Sequence, residues 1–406
     1  MNYNFDQEIN RIGTSSVKWD YQKGNMTIIQ SDACAAQKGA DRLLPLWVAD
    51  MDFQSPPEVI EALIARAQHG IFGYTAAGDS YFEAVINWMA KHYGRQIKRE
   101  WFVLSPGVVT ALSILVQTFV APGKKVLVQP PVYYPFYGAI ENNGAEIVRN
   151  ELLLENGRYT MNFDDLAQKT ADPAVKMAIL CSPHNPIGRV WTREELTRFG
   201  DICLANNVLV ISDEIHCDLI FPDHTFTSFA SISEEFEQKS IVCTAPSKTF
   251  NLPGFKTSNI IIPNRQLRLQ FQKTMESASL MGANIFGIVA TEAAYRHGEE
   301  WLKELLVYIA GNYHFMVDYI HKHLPMLKVL PLEGTYLAWV DCRALGLDAD
   351  ARQDLFLKKA RLFLDEGELF GSEGLGFERF NLACPRAILA EALERMKSVI
   401  DALELA

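Results

Sequence analysis

Asn185, Asp213 and Lys248 each lie at or just after the end of a short apolar run that is typical of a buried strand. Because ligands of parallel α/β sheets bind beyond the carboxyl ends of the strands, we expect these three side chains to face one crevice. A lysine among apolar neighbours loses part of its hydration, which lowers its pKa and makes its amine a usable nucleophile. A buried aspartate beside it requires a cationic partner, and a protonated pyridine ring would serve as one.

The alternation of apolar runs with helix-like segments between about residue 100 and residue 262 predicts an α/β fold. The predicted strands are Lys125–Gln129, Lys176–Cys181, Val208–Ser212, Ser240–Thr244 and Thr257–Ile262. The predicted helices between them are Gly107–Val120, Tyr134–Asn142 and Thr192–Asn206. Strands that are apolar on both faces and alternate with helices indicate a mostly parallel sheet covered on both sides.

The remainder of the chain has a different pattern, which predicts a smaller α+β domain. Residues 287–323 are mainly helical, and strand-like segments and helices follow at Leu327–Leu332, Tyr336–Val340, Phe377–Ala383, 350–360 and 386–404. The first 50 or so residues lack strong periodicity. We therefore predict an N-terminal arm over residues 1–50 that packs on another part of the protein, a large domain over 51–290 and a small domain over 291–406.

Composition narrows the class of protein. The chain has 406 residues, of which 49% are hydrophobic and 21% charged, and this balance is typical of a folded protein. Its net charge of −11 disfavours binding to nucleic acid or to an anionic membrane. No secretory signal or confident membrane span is visible. Seven scattered cysteines without CxxC spacing indicate reduced thiols in a cytoplasmic protein and no metal site.

Five motifs together give the chain a resemblance to the pyridoxal 5'-phosphate (PLP) enzymes of fold type I, the class I/II aminotransferase superfamily. They are Trp47-Val-Ala-Asp-Met-Asp-Phe53, Pro130-Pro-Val-Tyr-Tyr-Pro-Phe136, His184-Asn-Pro-Ile-Gly188, Asp213-Glu-Ile-His216 and Pro246-Ser-Lys-Thr-Phe-Asn-Leu-Pro-Gly254. Within that superfamily the chain looks most like the MalY/PatB group of carbon–sulfur lyases. The resemblance implies a large PLP-binding domain with a mostly parallel, seven-stranded sheet between helices, and active sites shared across a homodimer. It also implies that the arm over residues 1–50 packs with the small domain and the partner subunit.

The resemblance also implies roles around the pyridine ring. Lys248 would hold PLP covalently, Asp213 would keep the ring nitrogen protonated, and Asn185 would donate to the phenolic oxygen. Tyr133 would stack on the ring, and Tyr134 would lie next to the substrate as a further catalytic residue. His216 stands where many aminotransferases carry a tyrosine facing the phenolic oxygen. This histidine fits the lyase group, and a satisfied buried residue remains its alternative interpretation.

Further residues match the phosphate and carboxylate sites of the family. The amides of Gly107, Val108 and Val109 would face the phosphate from a helix N-terminus, with Ser247 and Thr244 as hydroxyl candidates nearby. Lys256 stands where aminotransferases usually place a phosphate-binding arginine, and Tyr74 matches a tyrosine that reaches the phosphate of the neighbouring subunit. Arg379 occupies the position of the arginine that binds the α-carboxylate of the substrate.

The function implied is a cysteine-S-conjugate β-lyase of the cystathionine β-lyase type, which converts its amino-acid substrate into a thiol, pyruvate and ammonia. Cystathionine and other S-substituted cysteines all remain open as substrates. An aminotransferase is the alternative, because it would use the same Lys248, Asp213 and Arg379. A regulatory protein-binding role, known for one branch of the group, is a third hypothesis.

Overall fold

The computed structural model describes residues 3–24, 27–30 and 42–404. These residues form two compact units. The large unit consists of Gln54–Lys303 with Glu333–Thr335, and the small unit consists of the chain up to Phe53, Glu304–Leu332 and the residues from Tyr336 onward. Among the described residues, no helix has the length and apolar character needed to cross a membrane. Cys34, one of the predicted reduced thiols, lies outside the described residues.

The large unit contains the predicted sheet, which has seven strands within the described ranges. Their spatial order is Phe102–Ser105, Ser258–Ile261, Ser240–Thr244, Leu209–Asp213, Val175–Cys181, Lys125–Val128 and Glu146–Arg149. The last five strands run parallel to one another, and Ser258–Ile261 is antiparallel to both of its neighbours. The prediction of a mostly parallel, seven-stranded sheet is confirmed.

Two strands of this sheet were not among the predicted segments, for different reasons. Phe102–Ser105 is only four residues long and lies at one edge. Glu146–Arg149 forms the opposite edge, where its side chains are partly exposed and two of the four are charged. An edge strand of this kind carries no continuous apolar run, so a hydrophobic pattern does not reveal it.

Helices cover the sheet and complete the large unit. They are Pro57–Gln68, Asp79–Tyr93, Val108–Phe119, Pro135–Glu141, Phe163–Thr170, Arg193–Ala205, Glu234–Gln238, Arg265–Ser277, Ile285–His297 and the start of Glu299–His323. A hairpin pairs Leu153–Glu155 with Arg158–Thr160. Helix Val108–Phe119 buries Ala111, Leu112 and Leu115 in the same apolar core as the strands. This packing fixes the start of the helix relative to the ends of the central strands.

The small unit has an antiparallel sheet of four strands within the described residues. Its order is Lys328–Val329, Leu337–Asp341, Phe377–Asn381 and Asp365–Glu366, and Leu44–Pro45 pairs separately with Leu362–Phe363. Its other elements are Val17–Asp20, Tyr21–Gly24 paired with Thr27–Gln30, Ala349–Gln353, the π-helical Asp354–Lys359, Arg386–Glu404 and the end of Glu299–His323. The predicted strand Leu327–Leu332 is wrong in extent, because only two of its residues pair.

Short 3₁₀ turns connect several elements of the two units. They are Arg99–Trp101, Phe229–Ser231, Pro253–Phe255, Arg343–Leu345, Gly367–Phe370 and Ser372–Gly374.

A buried carboxylate, Asp52, fixes the N-terminal segment inside the small unit. It accepts hydrogen bonds from Lys18 Nζ at 2.6 Å and Trp19 Nε1 at 2.8 Å, and Arg11 reaches it at 2.7 Å. Although burial opposes the charge, Lys18 and Arg11 hold the pKa of Asp52 below its usual range. The irregular segment that ends in Asp52 is therefore held by charge pairs, since it forms little regular structure of its own.

Candidate functional site

Asp213 is the last residue of a central strand, and its carboxyl group is almost completely buried. The strand Leu209–Asp213 is parallel to both neighbours, so Asp213 lies level with Cys181 on one side and Cys243 on the other. Its side chain is 3% exposed and accepts a hydrogen bond from the Ile215 amide at 3.2 Å. The strand register therefore places a carboxyl group at the carboxyl end of the sheet, as the sequence predicts.

Burial raises the pKa of Asp213 to about 7, against the opposing effects of the Ile215 amide and the Lys248 charge. The neighbouring Glu214 adds a smaller effect in the same direction as burial. Two conclusions follow. Asp213 and Lys248 lie within electrostatic reach of each other, and the ionised carboxylate is stabilised by any further positive charge placed beside it.

Lys248 lies in a turn that begins just beyond the adjacent strand, Ser240–Thr244. The turn is closed by hydrogen bonds from Phe250 N to Pro246 O at 2.9 Å and from Leu252 N to Ser247 O at 3.0 Å. Lys248 itself is half-buried in this turn. A lysine at this place has a fixed backbone and a side chain that is only partly hydrated.

Asn185 reaches the same edge of the sheet from the strand on the other side of Asp213. The strand Val175–Cys181 ends beside Asp213, and the Ser182 amide donates to the Asp213 carbonyl at 2.9 Å. Asn185 is buried, and its backbone N–H donates to the Cys181 sulfur at 3.4 Å. Asn185, Asp213 and Lys248 therefore follow three adjacent strands, as predicted.

His184 is a positioning residue that the sequence analysis did not identify. Its Nε2–H donates to the Pro131 carbonyl at 2.9 Å, which ties the segment around Asn185 to the segment that precedes Tyr133. Burial, reinforced by the Arg189 charge, lowers the pKa of His184 to about 4, although the Pro131 carbonyl opposes the shift. The ring is therefore neutral near pH 7. Its place beside Asn185 in the His184-Asn-Pro motif was the available signal.

The tyrosine pair lies immediately before the helix Pro135–Glu141. The rings of Tyr133 and Tyr134 are 5.5 Å apart between centroids and inclined by 49°, and both side chains are partly exposed. Tyr133 also makes an edge contact with the buried Phe136 ring at 5.8 Å. Packing on the core thus orients Tyr133 while part of its surface remains open to a ligand.

The candidate phosphate site begins where the helix Val108–Phe119 begins. Gly107 precedes it with φ of +107°, a conformation that favours glycine, and no side chain in the described part of the chain caps this helix start. The Gly107 amide already donates to the Ser105 carbonyl at 2.8 Å. The first two amides of the helix itself are those of Val108 and Val109. An uncapped helix start with backbone N–H groups is a favourable place for an anion.

The remaining candidates in the large unit differ in exposure. Ser247 is half-buried beside Lys248, and His216 is buried shortly after Asp213. Lys256 is exposed and has a left-handed backbone with φ of +44°. Tyr74 is fully exposed within this chain. The Thr244 hydroxyl donates a hydrogen bond to the Asn259 carbonyl at 3.5 Å.

Arg379 belongs to the small unit, where it is buried in the strand Phe377–Asn381. Its cross-strand neighbour is Asp365, and its guanidinium group forms an ion pair with that carboxylate. The same guanidinium nitrogen donates to the Trp47 carbonyl at 2.6 Å. Asp365 is a second residue that sequence reasoning missed. No motif marks it, but a buried arginine requires a compensating anion.

This set of groups suits the cofactor that the sequence resemblance implies. A buried carboxyl with a raised pKa would be stabilised by a protonated ring nitrogen, and the half-buried lysine supplies an amine for covalent attachment. The uncapped helix start suits a phosphate. The residues present therefore fit PLP.

Comparisons with known proteins agree with this chemistry. The family model for aminotransferase class I and II matches residues 42–396. Cystathionine beta-lyase PatB of Bacillus subtilis is 44% identical over 98% of this chain and 100% of its own length. Protein MalY of Escherichia coli is 30% identical over 99% of this chain and 100% of its own length.

A solved structure extends the similarity to three dimensions. Cystalysin from Treponema denticola, whose crystal structure contains pyridoxal 5'-phosphate, superposes with a TM-score of 0.92 at 39% sequence identity. The match covers 99% of this chain and all of that chain.

The buried state of Asp213 predicts how the stability of the apoprotein depends on pH. Because the folded state holds this proton more tightly than the unfolded chain, the free energy of unfolding should fall as the pH rises from 3.8 to about 7. The slope from this group is at most about 1.4 kcal/mol per pH unit. Urea unfolding of wild-type and Asp213→Asn apoproteins across this range measures it, since the variant lacks this contribution. The same pH dependence in both proteins would contradict the assignment.

Proposed function

The chain belongs to the aminotransferase class I and II family, and on that premise we propose that it is a PLP-dependent carbon–sulfur lyase of the cystathionine β-lyase type. The observation that supports PLP as the cofactor is the buried Asp213 carboxyl, which lies close enough to Lys248 for the two charges to interact. The lyase activity is supported by the full-length similarity to PatB, a cystathionine beta-lyase.

In this proposal four residues hold the cofactor ring. The Lys248 amine would bind PLP covalently, and the Asp213 carboxylate would accept a hydrogen bond from the protonated ring nitrogen. Asn185 donates to the phenolic oxygen, and Tyr133 packs on the ring face. When bound, PLP supplies an electron sink for the negative charge that develops on the substrate Cα. Asp213 maintains that sink, because its charge keeps the ring nitrogen protonated.

The phosphate and the phenolic side of the ring have their own proposed partners. The backbone amides of Val108 and Val109 bind the phosphate at the helix start, with help from the Ser247 hydroxyl. The Gly107 amide, the third candidate from the sequence, already donates to the Ser105 carbonyl. Lys256 supplies a positive charge to the same group, without the paired hydrogen bonds that an arginine would form. His216 takes the place of the tyrosine that faces the phenolic oxygen in many aminotransferases.

The substrate is held by its α-carboxylate and deprotonated at Cα. Arg379 binds the carboxylate, and Tyr134 lies beside the substrate. The Lys248 amine would remove the Cα proton of the bound substrate. The Cβ–S bond then breaks, and the sulfur departs with the bonding electrons as a thiolate. The released 2-aminoacrylate takes up water and yields pyruvate and ammonia.

We further propose that the enzyme is a homodimer in which the two subunits share their active sites. Tyr74 is fully exposed, and Ile71 and Phe72 beside it are 68% and 56% exposed. An exposed apolar run of this kind is costly in water and favours burial against another chain. In the proposed dimer Tyr74 reaches the phosphate of the neighbouring subunit, and the arm over residues 1–50 contributes to the same contact.

A cytoplasmic location is also part of this proposal. The cysteines in the described part of the chain are buried free thiols: Cys181, Cys203, Cys217, Cys243, Cys342 and Cys384. Reduced cysteines at this density are typical of proteins from a reducing compartment.

Incubation with cystathionine in the absence of any keto acid tests the activity. A lyase should release thiol, pyruvate and ammonia in equal amounts over many turnovers, because elimination regenerates the starting enzyme. Colorimetric thiol and coupled pyruvate assays measure these products, with Lys248→Ala as the inactive control. A single equivalent of transferred amine per site, without thiol, would instead indicate an aminotransferase.

The shared site predicts complementation between two inactive variants. Tyr74→Ala and Lys248→Ala, produced together with different affinity tags, should form hybrid dimers in which one of the two sites has both native residues. Thiol release by the purified hybrid should exceed that of either parent dimer. An inactive hybrid beside an active wild-type dimer would place Tyr74 and Lys248 of one site in the same subunit. A fully active Tyr74→Ala dimer would show that Tyr74 has no role in the site.

A further inference from the structure

Asp218 connects two separate parts of the large unit through one buried carboxylate. Its Oδ1 accepts hydrogen bonds from Trp88 Nε1 at 2.8 Å and from the Tyr93 hydroxyl. Its Oδ2 accepts one from Thr249 Oγ1 at 2.6 Å. Asp218 is 8% exposed, and Thr249, which directly follows Lys248, is fully buried. The carboxylate thus joins the end of one helix to the turn that contains Lys248.

The residue after Thr249 is anchored by a different interaction. Phe250 is fully buried, and its ring lies 5.6 Å from Trp88, 6.0 Å from Tyr295 and 6.2 Å from Trp301 between centroids. The space is tight, since a Cβ atom on Gly298 would lie 2.4 Å from the Phe250 ring. Two consecutive residues beside Lys248 are therefore fixed, one by a charged hydrogen bond and one by aromatic packing.

A carboxylate suits this position better than an amide would. An ionised carboxylate only accepts hydrogen bonds, so it can serve the indole, phenol and hydroxyl donors together. An asparagine would offer one acceptor oxygen and direct an NH₂ group towards one of the three donors. Burial and the Asp218 charge raise the pKa of Tyr93 well above its usual range, so the phenol keeps its proton and remains a donor.

We propose that Asp218 is a positioning residue for the lyase reaction, and that it acts through the Thr249 hydroxyl on the location of the Lys248 amine. This inference rests on the proposed function, in which Lys248 both attaches the cofactor and removes the Cα proton. Both steps require the amine to reach a fixed point. A displacement of the reacting group by about 1 Å can lower a rate by about 100-fold.

The matched substitutions are Thr249→Val, Thr249→Ser and Thr170→Val. Valine replaces threonine without a large change in size, so Thr249→Val removes the hydroxyl donor while leaving the buried volume filled. Thr170 is a suitable control because it is also buried in the large unit and its hydroxyl donates to the Leu166 carbonyl at 2.8 Å within a separate helix. Urea unfolding of each apoprotein measures the purely structural cost.

Two further measurements report the position of the amine. One is kcat and KM for thiol release. The other is the fraction of protein-bound PLP that borohydride fixes to Lys248 soon after the apoprotein is mixed with the cofactor. Thr249→Val should lower kcat by about 10- to 100-fold with a smaller change in KM, and should slow attachment. Thr249→Ser should restore both, and Thr170→Val should change neither.

A double-mutant cycle keeps the inference falsifiable if Thr249→Val is strongly destabilised. If Asp218 acts through Thr249, the effects of Asp218→Asn and Thr249→Val on attachment should not add in the double variant. Additive effects, or equal kcat values for Thr249→Val and Thr170→Val in a working enzyme, would overturn the proposal. Failure of the proposed function would show differently, as a wild-type protein that releases no thiol.

Discussion

The burial of the Asp213 carboxyl is the constraint on which the rest of the site depends. A carboxylate at the end of a central strand, 3% exposed, is costly unless positive charge lies beside it. The parallel register of the three central strands gives the group its place, and Lys248 supplies part of the compensation. The remaining cost favours a ligand that brings its own cation, and in the proposed function that ligand is the protonated pyridine ring.

Buried charges of the same kind hold the irregular segments around the sheet. Asp52 fixes the N-terminal segment through Lys18 and Trp19, and Asp365 compensates Arg379 within the small unit. Asp218 accepts hydrogen bonds from three side chains beside the turn that contains Lys248. Loops have few backbone partners of their own, so a single carboxylate with several donors can fix a loop that no regular structure reaches. Each of these carboxylates therefore holds together segments that are distant in the chain.

The sequence was sufficient for the main architecture and for the residues within motifs. Apolar runs followed by Asn185, Asp213 and Lys248 predicted the sheet and the strand ends at which these residues lie, because strands and the residues after them are local features. Asp218 could not be predicted, since its partner Trp88 lies 130 positions away in the chain. Asp365 was missed for a related reason, because its role follows from strand pairing and not from its own neighbours. Contacts between distant segments carry no local pattern.

The protonation state of the bound cofactor tests the central role of Asp213 most directly. The enzyme can be reconstituted with PLP that carries ¹⁵N in the pyridine ring and observed by nuclear magnetic resonance at neutral pH, alongside Asp213→Ala. The buried carboxylate predicts a protonated ring nitrogen in the wild-type enzyme and an unprotonated one in the variant, together with a much larger loss of turnover than of cofactor affinity. A ring nitrogen that is protonated to the same extent in both proteins, or unprotonated in the wild type, would contradict this account.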